Sequence, residues 1–218
     1  MGIDTTLRKR WVLLGLTLLI VLALVPNVLA SRYFYESEVL LEGGVALPGG
    51  DLVDDWTDIE KQGFGAETGY EVGLRYRQFV SPNLALSPSF HYVDFGNFAT
   101  ETATQGAIIV ATSILRYGLD VQYFTAAGQG RPQLFLSGGA ALCRNRYRDD
   151  SEISGVYTAP VNALCFAAGG GIRLGDFEVG AYYNINRFDS VRLDYQGRKL
   201  SYNWDYLVVR AALAFPTH

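Results

Sequence analysis

Twelve ionisable side chains stand out for what they could do together. Counted along alternating stretches of the chain, Glu36, Glu38, Glu42, Glu67, Glu71, Asp120 and Glu178 fall on one face of their segments. Arg75, Arg77, Arg116, Arg173 and Arg210 fall on the same face. A pair of such carboxylates could move protons. A line of them with arginines could pass ions. Or the two signs could neutralise one another, since buried charge is tolerable only when paired and hydrogen-bonded. The planar fork of arginine holds carboxylates bidentately, which suits the last use. A salt-bridge plug is therefore the first expectation, a gated ion path the sharper alternative, and acid–base catalysis the remainder. No nucleophile stands with a histidine and an acid at a telling spacing. His91 and His218 are the only histidines, and His218 is the last residue. The expectation is a protein that is not an enzyme and needs no cofactor or metal.

Two further groups carry chemistry. Cys143 and Cys165 lie 11 residues either side of position 154. Equal distances from the middle of a connection place them opposite each other in an antiparallel hairpin, both with the parity of the charged face. Export would favour their oxidation, so a disulfide is expected. Two cysteines without histidine supply too few ligands for a metal. The stretch "DLVDDWTDIE" holds Asp51, Asp54, Asp55, Asp58 and Glu60 in ten residues. A charge run of this kind is a solvated loop in the simplest reading. The functional alternative is a cation-bridged or partner-binding loop anchored by Trp56. EF-hand spacing is absent.

The elements that must position these residues read as strands from end to end. In "GFGAETGYEVGLRYRQF", residues 63–79, Phe64, Ala66, Tyr70, Val72, Leu74 and Tyr76 alternate with Gly65, Glu67, Gly69, Glu71, Gly73, Arg75 and Arg77. One face is apolar and aromatic; the other is glycine and charge of both signs. Eight such strands are expected, at about 33–47, 63–79, 84–97, 106–124, 132–147, 163–174, 177–190 and a last one ending in "YLVVRAALAF", following the period of two. Pro88 is awkward inside a ladder because it has no N–H, and a bulge is expected there. "SPN" at 81–83 and "GD" at 175–176 read as tight turns. Longer polar connections are expected over "PGGDLVDDWTDIEKQ" and "RDDSEISGVYTAPV", and a short one near 98–105. Long and short connections are read as alternating along the chain.

The N-terminus says where the apolar faces go. Arg8, Lys9 and Arg10 precede an uncharged run from Trp11 to Val25, and Val28 and Ala30 precede Ser31 as small residues at a cleavage site would. This is the layout of a secretory signal peptide helix over residues 1–30. The run falls short of the roughly 20 residues that span a bilayer. Its removal takes away three positive charges and one negative, so the net charge falls from −4 to −6. An acidic exported chain is a poor nucleic-acid binder. The remainder, 31–218, reads as one domain with no second apolar segment. In hydrocarbon every backbone N–H and C=O must be paired, so a sheet crosses a bilayer only as a closed barrel, apolar outside and polar within. The fold expected is therefore all-β: an eight-stranded antiparallel up-and-down transmembrane barrel. Its interior is just wide enough for side chains to fill.

"EVLLEGGVALPGGDL" followed by "GFGAETGYEVGLRYRQFVSPNLALSPSFHYVDF" resembles the first hairpins of the OmpA/OmpX-type eight-stranded outer-membrane β-barrels, and the likeness of pattern runs over the whole mature chain. The resemblance implies a bacterial outer-membrane location and contact with outer-membrane lipid and the barrel-assembly machinery. It also implies a role in envelope structure, adhesion or docking to another envelope or surface protein. Such barrels usually end on an aromatic residue; here Phe215 is followed by Pro216, Thr217 and His218. Either the assembly signal tolerates a short tail, or the lineage has a looser terminal rule. Two alternatives stand beside this reading: a small pore for ions or solutes, and a secreted lipocalin-like barrel. The lipocalin reading would need the apolar faces inside.

Overall fold

The computed structural model describes residues 36–53, 65–102, 106–125, 132–149, 160–193 and 199–217. The predicted signal peptide lies outside them, as do Asp54, Asp55, Trp56 and Asp58. Nine strands are present among the described residues: β1 (Ser37–Pro48), β2 (Gly69–Ser81), β3 (Leu84–Thr102), β4 (Gly106–Phe124), β5 (Gln133–Asp149), β6 (Val161–Leu174), β7 (Phe177–Leu193), β8 (Lys199–Asn203) and β9 (Tyr206–Thr217). Each pairs antiparallel with its neighbours, and β1 pairs with β9, so the sheet closes on itself. β8 and β9 meet β7 in one register, through Arg187↔Asn203 and Asn184↔Tyr206. They are two parts of one eighth strand, interrupted at Trp204 and Asp205. There the Trp204 N–H donates to Asn186 O at 2.8 Å, and the Asn186 N–H donates to the Asp205 carboxylate at 2.9 Å. The barrel therefore has eight staves.

Its two faces invert the usual order of a soluble protein. Leu136 is 69% exposed and Leu41 54%, while Arg77 is fully buried and Arg75 is 1% exposed. Leu41, Val45, Leu74, Phe90, Leu119, Val121, Leu134, Phe166, Val179 and Leu213 all face outward and are exposed. Tyr76, Tyr123, Phe177 and Phe215 edge this belt toward the short turns. Tyr70, Tyr92 and Tyr183 edge it toward the long connections. An exterior of this kind suits hydrocarbon and an interior of this kind does not suit a greasy ligand, so the lipocalin alternative loses its premise.

Several boundaries differ from the expectation, each for a local reason. β2 begins at Gly69 rather than near 63, because β1 offers pairing only as far as Ala46↔Gly69. Residues 65–68 instead return to the 3₁₀ turn Gly50–Leu52, where the Ala66 N–H donates to Leu52 O at 2.7 Å. That turn opens the segment expected to be a polar loop, yet Leu52 is fully buried. Pro88 faces outward opposite Leu119 and makes no bulge. The β2–β3 register is the same on either side of it, at Arg75↔Ser89 and Gln78↔Leu86. The ladder lapses at the two positions between, as a residue without an N–H requires. The irregularities lie instead at Phe79/Ser81 and Asp94/Asn97. β3 and β4 continue through much of the region expected to be a loop near 98–105, pairing as far as Thr102↔Gly106.

The narrow bore is set by small residues on the inner face. Gly175 forms the two-residue β6–β7 turn with φ +63°, the left-handed conformation that turn needs. Farther along the same hairpin, a Cβ on Gly171 would sit 2.1 Å from Val179 O across the sheet. Gly171→Val should therefore lower stability by about 1–3 kcal/mol, the cost of overpacking. Ala168→Val, outward on the same strand, should leave it nearly unchanged. Urea unfolding of the refolded barrel in vesicles checks both.

Candidate functional site

The inward positions of the strands assemble one polar core, built in two clusters. Toward the short turns lie Glu38 (β1), Arg77 (β2), Arg173 (β6) and Glu178 (β7). Arg77 Nη1 and Nη2 donate to the two oxygens of Glu178 at 2.6 and 2.8 Å, and Nη1 also donates to Glu38 Oε2 at 2.9 Å. Arg173 donates to both oxygens of Glu38, at 2.6 and 3.1 Å. The fork geometry is the one that makes arginine the strong partner of a carboxylate. The remaining Nε of Arg77 donates to Gln122 Oε1, which also accepts from Ser87 Oγ.

The second cluster lies deeper. Arg75 stands 3.2 Å from Glu42 and 3.6 Å from Asp120. Arg116 donates to Asp120 at 2.9 Å, and Ser89 Oγ supports the same carboxylate at 3.1 Å. Arg210 Nε donates to Glu71 at 2.6 Å, and its Nη1 stands 3.5 Å from Glu42. His91 joins the two halves, with Nδ1 3.2 Å from Arg116 Nη1 and Nε2 2.5 Å from Glu42 Oε2. A guanidinium can only donate, so Nδ1 accepts; the hydrogen sits on Nε2, and His91 enters the cluster as a neutral ring. The first cluster thus holds two positive and two negative groups and the second three of each. Each balances by itself.

An aromatic and an apolar cluster flank the core. Toward the short turns, Phe79, Phe124, Phe135 and Tyr182 form a chain of ring contacts at 5.5, 5.6 and 6.5 Å. Arg77 lies over the Phe124 ring at 4.9 Å and Arg210 over the Tyr182 ring at 4.3 Å, cation–π contacts that occupy the faces not used by carboxylates. Toward the long connections, Leu52, Val93, Phe95, Ile114, Trp204, Tyr206 and Val208 pack in one cluster with both cysteines.

Of the twelve expected network residues, ten take part. Glu36 precedes β1 and Glu67 precedes β2, and both are exposed. Alternation carried them onto the inner face on paper, but each lies beyond the ladder that would hold it there. Cys143 and Cys165 are bonded, with Cα atoms 6.1 Å apart. They are not opposite: Cys143 pairs with Ala163 and Cys165 with Ala141, so the bridge runs diagonally across β5–β6. In the acidic stretch, Asp51 accepts the Asn203 N–H at 2.7 Å and pins the 3₁₀ turn to β8. His91, Gln122, Ser89 and Tyr182 were absent from the expected network. His91 and Tyr182 already shared its parity, so the signal that could have found them was the alternation itself, applied to neutral as well as charged residues.

No protein-family model matches the sequence, and no curated protein matches it. Solved structures do resemble the fold. Neisserial surface protein A superposes with a TM-score of 0.50 at 11% identity, over 82% of this chain and 97% of that one. OprG of Pseudomonas aeruginosa gives 0.46 at 13%, over 83% and 97%.

Arg77 serves two carboxylates, so its loss should be severe and partly reversible by restoring neutrality. Arg77→Leu should cost about 3–5 kcal/mol, the penalty for stranding a buried partner. Adding Glu178→Gln, which leaves Arg173 facing Glu38, should recover much of it. Reducing the disulfide, whose cysteines are 22 residues apart, should cost about 3 kcal/mol on the loop-entropy account. Urea titrations of the folded barrel read all three. The chain has the fold of the OmpA/OmpX-type eight-stranded outer-membrane β-barrels.

Proposed function

We propose that the protein is an integral barrel of a bacterial outer membrane whose lumen is plugged, and that it works through its surface rather than through its bore. The short turns face the periplasm and the long connections face outward. The role is non-enzymatic: envelope structure, adhesion, or docking of another envelope or surface protein, with barrel-assembly machinery and outer-membrane lipid as its general partners.

One observation carries this reading. Ten charges fill the lumen as two clusters that each sum to zero, flanked by an aromatic cluster and an apolar one. An ion entering such a bore finds no uncompensated charge to replace its water. It must also break short charge-assisted hydrogen bonds to pass. Every carboxylate of the two clusters is likewise held by a guanidinium, which leaves none poised to take a proton from a substrate.

Conductance of the refolded protein in a planar bilayer tests the plug, with and without reductant. The expected record has no resolvable steps in either state, while flotation with vesicles confirms insertion. Steady ion-selective steps in the oxidised protein would overturn the plug and favour the small-pore reading. Steps confined to the reduced protein would replace a permanent plug with a disulfide-latched one.

A further inference from the structure

Among the described residues, the barrel wall parts between β6 and β7. β6 and β7 pair from Leu174↔Phe177 up to Cys165↔Asn186 and no farther, although both strands continue. Above that level β6 remains on β5 as far as Asn145↔Val161, while β7 keeps β8 as far as Leu193↔Lys199. A cavity of about 800 Å³ lies in the parting, bordered by Asn162 and Ala163 on one bank and by Arg187, Phe188 and Tyr202 on the other. That volume is in the range of ligand sites.

The outer surface changes character at the same height. Leu142, Leu164 and Ile185 are outward apolar residues of β5, β6 and β7 at this height, and all are exposed. The next outward positions are Arg144 and Arg146 on β5, Asn162 on β6 and Arg187 on β7. Arg144 lies beside Asn162 across the ladder. Arg144 and Arg146 are exposed and have no ion-pair partner among the described residues. Arg187 is 69% exposed and reaches Asp205 only at 3.8 Å, where Tyr183 Oη and the Asn186 N–H already donate. Asp189, the carboxylate on this bank, accepts from Ser201 Oγ at 2.7 Å. Three guanidiniums with spare donors thus stand along one arc, on both sides of the parting, directly above an apolar belt.

We propose that this arc binds a phosphate-bearing lipid of the surrounding leaflet. Its headgroup would lie at the mouth of the parting between Arg144 and Arg187, and its chains along Leu142, Leu164 and Ile185. The inference rests on the membrane reading above. Guanidinium forks match phosphate oxygens, and basic positions at the end of an apolar span recognise anionic headgroups. A neutral lipid offers the same chains without the charge.

The test uses the refolded full chain in neutral detergent, titrated with bisphosphorylated lipid A or with phosphatidylcholine and read by native mass spectrometry. One lipid A retained per barrel, in preference to phosphatidylcholine, is expected. The triple variant R144Q/R146Q/R187Q, checked for folding by its heat-dependent gel shift, should bind about tenfold more weakly, a loss equivalent to about 1.4 kcal/mol. Retention unchanged in the variant, or equal for the two lipids, overturns the proposal. Flotation with phosphatidylcholine vesicles separates the two readings. A chain that floats but shows no lipid A preference loses this site alone; a chain that does not float loses the membrane reading as well.

Discussion

A guanidinium withdrawn from water costs several kcal/mol unless its charge is met at hydrogen-bond distance, and this barrel withdraws four of them fully and a fifth, Arg173, in part. The requirement reaches well beyond the ten ionic residues. Glu38 is the ladder partner of Arg77, and Glu178, which Arg77 reaches across the bore, is the ladder partner of Arg173, which meets Glu38 in turn. Arg210 can meet Glu71 only across β1, where Gly44 pairs with both and adds no side chain between them. The neutral partners are set by the same demand. Gln122, Ser89 and His91 accept arginine N–H groups that the carboxylates leave over, and Ser87 Oγ donates to the same Gln122 oxygen. Balancing each cluster separately also removes any need for attraction between the two levels.

The period of two made most of this readable beforehand, for a physical reason. A barrel stave has one neighbour outside and one inside, lipid and lumen, so a residue's parity decides its surroundings. Every inward charge between Glu38 and Arg210 follows that rule. Parity says nothing about where a ladder starts, and Glu36 and Glu67 were misplaced for that reason alone. Nor does it fix the register of a hairpin whose connection has no regular turn. The two cysteines were centred on position 154, but the strands chose a pairing shifted by one step on each side, and the bridge became diagonal. Trp204, Tyr206 and Leu52 were not expected in the core. They enter it because the last stave breaks at Trp204 and Asp205 and the 3₁₀ turn folds back onto it, events decided by tertiary contacts and not by any local pattern.

The break in the wall gives the disulfide a place in this logic. Strands of a closed barrel hold one another from both sides, so a stave that loses a neighbour loses half its restraint. β6 loses β7 just above Cys165, and Cys165 is the residue through which β6 is covalently tied to β5. The bridge thus sits at the fork, where a separating force would otherwise unzip the hairpin downward toward the ionic core. β7 is braced differently, by its continuation on β8 and by the ring contacts of Phe188 with Tyr202 and Trp204 at 5.7 and 5.1 Å. Each bank of the parting therefore has its own support, and the gap can stay open without loosening the clusters beneath it. A wall whose β6–β7 seam opens above the level of the buried clusters is the arrangement expected if access matters at the rim and not through the bore.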